Sequence, residues 1–188
     1  HAPHHTKAVG AGEYKPLWNR PDSTYTSFTI YTNGLDASIS DADHRLNAAE
    51  TGGNHGNPTG VSMLCLSCHD GSVAVDTYGA TTGSSTIDQF GTGSAQIGGG
   101  ADLSNHHPVG FDYLYVAGAD EIALATTTFK GLDGVTPVIA IQSVLYGNNM
   151  ECTTCHDVHN TTNVGEKFLW TTNNRSQFCL TCHTKGTL

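Results

Sequence analysis

With 188 residues and a net charge of −9 (His counted as neutral), the chain is long enough for one ordinary domain or two very small ones. It is too acidic to neutralise nucleic-acid phosphates or to seat on an anionic membrane surface. Its apolar share of 37% lies below the roughly 45–50% of a typical domain, a figure that counts Gly. The 22 glycines largely close that gap, but large side chains stay sparse, so something besides side-chain burial has to supply the core.

In chain order, the sequence opens at His1, as expected of a processed or trimmed chain. Residues 1–60 are polar and turn-rich, punctuated by Pro16, Pro21, Gly34, Gly52, Gly53, Gly56 and Pro58. Within them the alternation from Tyr25 to Tyr31 predicts a short strand, and Ser40 to Glu50 a short helix capped by Ser40 or Asp41. Ala80 to Gly100 is rich in Gly, Ser and Thr and reads as an extended surface loop. Phe111 to Val116 and Val135 to Tyr146 are the best strand candidates, with a short helix expected from Ala119 to Thr127. No apolar run approaches the roughly 18 residues of a transmembrane helix. The longest candidate, Val135 to Leu145, is broken by Pro137, Gln142 and Ser143.

All six cysteines fall into one repeated pattern: Cys65-Leu66-Ser67-Cys68-His69, Cys152-Thr153-Thr154-Cys155-His156 and Cys179-Leu180-Thr181-Cys182-His183. C-x-x-C-H is the signature of c-type haem attachment. Two thiols reach the two vinyl groups on one side of a porphyrin, and the adjacent imidazole swings beneath the ring as proximal iron ligand. A zinc half-site or a thioredoxin-like pair does not call for His after the second Cys. A disulfide framework would not confine every cysteine to such units. Three covalent haems c therefore follow. Their broad apolar faces would form the missing core, and thioether attachment implies export from the cytoplasm.

Three irons leave three distal positions, and eight histidines remain outside the motifs: His1, His4, His5, His44, His55, His106, His107 and His159. Met63 and Met150, the only methionines, each lie two residues before a motif cysteine and are badly placed to reach the far face of their own haem. Bis-histidine coordination is expected. His159 follows His156 by one helical turn, so both rings can project from one edge and serve neighbouring irons. Pro108 restrains His107 to extended backbone, which favours it over His106 as a ligand presented from a loop. His44 and His55 sit in polar, glycine-rich surroundings and read as surface residues before ligands.

These motifs resemble the doubled-CXXCH multihaem cytochromes and, more closely, the extracellular tetrahaem cytochromes that polymerise into electron-conducting filaments. The resemblance is carried by Lys15-Pro16-Leu17-Trp18-Asn19-Arg20, by Leu64 to Gly71, by Asp102-Leu103-Ser104-Asn105 running into His107-Pro108-Val109-Gly110-Phe111, by Glu151 to Asn160 and by Phe178 to Lys185. It implies distal roles for His107 and His159. The chain departs from the pattern at its start, where His1-Ala2-Pro3-His4 stands in place of a C-x-x-C-H-x-P-H site. Either a fourth haem near His1 is lost with its cysteines, or this is a three-haem variant in which His4, with His5 as substitute, still serves as distal ligand. The second reading is favoured because it balances three haems with three ligands.

The resulting expectation is a single cytochrome domain over residues 1–188. It is an irregular, mostly coil chain with few short helices, and it has a small β-rich insertion in the haem-motif-free stretch 70–151. Its task would be electron transfer without substrate chemistry, in a homopolymer whose His residues ligate haem across subunits. The location would be extracellular or at the cell surface. The alternatives are a periplasmic shuttle passing electrons to other redox proteins and, behind it, a reductase with one open iron. Neither nucleic acid nor a membrane span is expected.

Overall fold

The computed structural model describes residues 21–30, 57–77, 81–87, 95–118, 122–131, 133–160 and 167–184. Regular structure among them is short: five α-helices, four of a single turn, two 3-10 turns, and two two-stranded sheets joined by coil. That is the irregular architecture expected of the sequence. No helix among the described residues is long and apolar enough to cross a membrane. The described residues fall into two compact units, one ending at Pro108 and the other beginning at Val109.

The first unit is organised by α1, Gly60–His69. Thr59 sits at its N-cap, and the Thr59 carbonyl accepts the Ser62 N–H at 2.9 Å. The helix stops at Asp70, whose N–H still reaches Leu66 O (2.9 Å) while its carboxylate accepts the Ser72 N–H at 2.7 Å. Ser23 Oγ donates to the same buried carboxylate, tying residues 21–25 to the helix end. Leu66 packs with Phe28 and Leu103 in a small apolar cluster that Tyr25, Met63 and Ala101 flank. Gly98 closes this cluster. Its φ is +74°, and a Cβ there would lie 3.1 Å from Leu103 and 3.2 Å from Phe28, so only glycine satisfies both backbone and packing. The strand expected from Tyr25 to Tyr31 is reduced, within the described residues, to one parallel bridge between Thr29 and Asp102. Thr29 finds a single partner segment, through Thr29 N–H to Ala101 O (2.8 Å) and Leu103 N–H to Thr29 O (2.7 Å). Ser40 to Glu50 lies outside the described residues.

In the second unit β1 (Phe111–Asp112) pairs antiparallel with β4 (Asn149–Met150), and β2 (Thr128–Lys130) with β3 (Pro137–Ala140) across a bulge. Both sheets fall within the motif-free stretch 70–151. The strand expected over Phe111 to Val116 ends at Asp112 because the Asp112 carboxylate accepts the Leu114 N–H (2.8 Å) and starts the single turn α2, Tyr113–Val116. The strand expected over Val135 to Tyr146 likewise gives way after Ala140 to α3, Ile141–Val144. One turn there puts Ile141 and Val144 on the same buried face, and packing overrides their β propensity. The helix expected over Ala119 to Thr127 is absent from its described part, residues 122–127. Ile122 instead bridges His183, and the Ala123 N–H donates to Cys182 O at 2.8 Å.

The core of this unit gathers Phe111, Tyr113, Phe129, Ile141, Val144, Met150 and Phe178. Phe129 and Phe178 stack at 4.9 Å between centroids, and the buried Tyr113 hydroxyl donates to Ala123 O at 2.9 Å. The segment around Ala123 and the chain end at Phe178–Cys179 are thereby fixed to one apolar cluster.

Candidate haem-attachment sites

Each C-x-x-C-H motif is built on one helical turn. Cys65 and Cys68 lie in the last turns of α1, while Cys152–Cys155 forms α4 and Cys179–Cys182 forms α5. Three residues of helix return a side chain to the same side, so the two sulfurs of each pair face one way at roughly 5–6 Å between β-carbons. None of the six cysteines is in a disulfide. Burial first, and then the neighbouring thiols of Cys182, Cys152 and Cys179, push the Cys155 thiol up to about 12. Burial also raises Cys182, offset in part by a hydrogen bond with Tyr113. At neutral pH both are therefore thiols and not thiolates, the form least prone to adventitious oxidation.

The motif histidines follow in two geometries. In the second unit the helix ends at the second cysteine and His156 and His183 take extended backbone, each N–H still bonded to the carbonyl of the first cysteine at 3.0 Å. Each then enters an antiparallel bridge, His156 with Leu169 and His183 with Ile122. His69 instead ends α1 in helical backbone, and its carbonyl accepts the Ile97 N–H at 2.8 Å.

Ring contacts fix the tautomers. His69 Nδ1 lies 2.7 Å from Ala95 O and His156 Nδ1 lies 2.9 Å from Lys167 O. A carbonyl can only accept, so Nδ1 carries the proton and the neutral ring keeps its lone pair on Nε2. Such a second bond is the usual partner of a metal-bound histidine.

Of the distal candidates, His107 is exposed on a loop shaped by Asp102, whose carboxylate accepts the Ser104 N–H at 2.8 Å. Its Nδ1 donates to Pro108 O at 2.9 Å, again leaving the lone pair on Nε2. His106 is half-buried. His159 corrects the expectation of one helical turn shared with His156. The helix ends at Cys155, and Asp157 starts a separate turn by accepting the His159 N–H on its side chain (3.0 Å) and the Asn160 N–H on its carbonyl (2.9 Å). His4, like His1, His5, His44 and His55, lies outside the described residues. Met150 is buried in the second unit's core and Met63 flanks the first cluster, so both thioethers are engaged in packing.

Sequence reasoning missed three supports. The carbonyls of Ala95 and Lys167 carry no signature, because every residue has one. The capping box of α4 was legible as Glu151-x-x-Thr154: Thr154 Oγ1 accepts the Glu151 N–H at 2.9 Å and the Glu151 carboxylate accepts the Thr154 N–H. The pairing of residues 122–123 with the third motif was hidden by their helical composition.

Residues 147–187 match the family described as the doubled CXXCH motif. The match takes in the second and third motifs. It indicates covalent haem c attachment and a multihaem c-type cytochrome motif, and it points to electron transfer. No curated protein matches the chain. The residues fit the group. Paired thiols stand on one side of a helical turn, and an imidazole with a fixed tautomer follows at two of the motifs.

Proposed function

We propose that the chain is an electron carrier with three covalent haems c, one each on Cys65/Cys68, Cys152/Cys155 and Cys179/Cys182. His69, His156 and His183 would be the proximal ligands and His107, His159 and His4 the distal ones. The observation that supports this is the Nδ1–H bond of His69 and of His156 to a backbone carbonyl, which leaves the lone pair of each ring on Nε2, the atom that would bind iron. Bound haem supplies a one-electron Fe(III)/Fe(II) couple, in which no bond forms or breaks. The polypeptide holds the imidazoles and covers apolar porphyrin surface that its own sparse core cannot replace. With every iron six-coordinate the protein does no substrate chemistry.

By its resemblance to filament-forming cytochromes, the chain works outside the cell as the subunit of a homopolymer. In this reading the N-terminal histidines ligate iron in the next copy. Intact-mass and peptide mapping of protein expressed with its export and haem-attachment machinery should find three haems at the three Cys pairs. The resting ferric spectrum should be wholly low-spin. Cryo-electron microscopy should find polymers. Discrete monomers with full haem content would make the protein a soluble shuttle, and a high-spin fraction that shifts with cyanide would reopen enzymatic activity.

A further inference from the structure

Two consecutive residues, Lys167 and Phe168, sit in the left-handed region with φ of +52° and +62°. Neither is Gly or Asn, the types that tolerate it, and the Phe168 ring is 51% exposed, so side-chain packing does not account for the conformation. What the pair does is aim two successive carbonyls at the second motif. Lys167 O receives the His156 Nδ1–H at 2.9 Å, and Phe168 O receives the Asp157 N–H at 2.8 Å. The next residues lock the arrangement. Leu169 bridges His156, Leu169 O accepts Asn160 Nδ2 at 2.9 Å, and the Trp170 N–H donates to Cys155 O at 3.3 Å. Ala95, which plays the same part for His69, is not among the residues with positive φ.

We infer that the left-handed Lys167–Phe168 pair is a positioning element that fixes the tautomer and ring plane of His156 and lowers the reduction potential of the haem on Cys152/Cys155. The inference rests on the haem reading above. An Nδ1–H bonded to a carbonyl makes the imidazole a stronger donor, which favours Fe(III) over Fe(II). Without the pair, the Lys167 carbonyl would leave the ring and the donor strength would fall.

The test uses the full haem-loaded chain and two substitutions. Proline cannot adopt a positive φ and drives the residue before it to extended backbone, so Phe168→Pro removes the pair. Glycine keeps the backbone and deletes only the ring, so Phe168→Gly preserves it. Phe168→Pro should shift the Fe(III)/Fe(II) equilibrium of one haem about tenfold toward Fe(II), about 59 mV upward for one electron. The other two haems should be unchanged, and the His156 Nδ1–H resonance should be lost from 15N-histidine spectra. Phe168→Gly should keep the parental potentials. A Phe168→Pro protein with three parental potentials, or a Phe168→Gly protein with the same shift, overturns the inference. If Phe168→Pro does not accumulate, the parent decides: slow exchange of the His156 Nδ1 proton supports the bond and solvent-rate exchange overturns it. Peptide mass without haem at Cys152/Cys155 overturns the haem reading as well, and it is read before any potential.

Discussion

His69 donates its ring Nδ1–H to the carbonyl of Ala95 at 2.7 Å, although the two residues are far apart in sequence. The contact gives a histidine at the end of α1 a defined ring plane and leaves its lone pair on Nε2. On the three-haem reading proposed above, His69→Ala should remove one axial ligand from the haem on Cys65/Cys68. One haem of three should turn high-spin in the ferric electron paramagnetic resonance spectrum, and free imidazole should return it to low spin. Unchanged low-spin signals would place the proximal ligand elsewhere.

Gly98 carries the packing beneath the same helix. Alanine there forces a Cβ to 3.1 Å from Leu103, 3.2 Å from Phe28 and 3.4 Å from Leu66. Overpacking of this kind costs about 1–3 kcal/mol, and the left-handed backbone adds about 1 kcal/mol. Gly98→Ala should lower the denaturation midpoint of the haem-loaded protein. Leu103→Ala in the same background should recover part of the loss, a coupling that a double-mutant cycle would measure.

The attachment chemistry was legible because it is covalent. Cysteine spacing and the following histidine are written in residue types, and the structure puts each cysteine pair on one helical turn. What holds the imidazoles was not legible, since the acceptors Ala95 O and Lys167 O are backbone atoms brought in from distant segments. The secondary-structure misses have two physical causes, tertiary contacts and local side-chain capping. Short apolar runs such as Ile141–Val144 satisfy either a strand or one turn of helix, and tertiary contacts decide between them. Of residues 122–127, Ile122 and Ala123 were claimed by the backbone of the third motif, and the Ala125 and Thr127 carbonyls by the N–H groups of Gln142 and Ile141. The separation of His156 from His159 turned on Asp157, whose side chain competes for the His159 N–H.

Asp133 shapes the turn between β2 and β3. Its carboxylate accepts from the Thr136 hydroxyl and from the N–H groups of Val135 (2.9 Å) and Thr136 (2.8 Å). The Thr136 hydroxyl first, and then these amides, pull its carboxyl down to about 2 from an ordinary 3.8. A depressed folded-state value means the contribution to stability is complete above pH 3.8 and is lost as pH falls through about 2. Carboxyl 13C titration should place the Asp133 midpoint near 2. Hydrogen exchange at Val135 and Thr136, corrected for its intrinsic pH dependence, should accelerate below pH 3.8, and Asp133→Asn should flatten that response. A midpoint at 3.8 would mean the turn forms without the carboxylate.

Glu151 and Thr154 cap α4 reciprocally from inside the protein, with Glu151 wholly buried and Thr154 1% exposed. The turn they stabilise is the one that presents Cys152 and Cys155, so the cap bears on stability and on attachment together. Thr154→Val keeps the side-chain shape but removes the oxygen that accepts the Glu151 N–H, leaving a buried donor without that partner. Such a loss costs about 1–3 kcal/mol. Thr154→Ser keeps the oxygen and should fall closer to the parent. The chain has to present both thiols of the motif during attachment, and a frayed turn separates them. Thr154→Val should therefore give a larger fraction of protein with Cys152/Cys155 unmodified, read by peptide mass, while Cys65/Cys68 in the other unit stays fully loaded. Equal loss at both motifs would trace the defect to global instability and not to the cap.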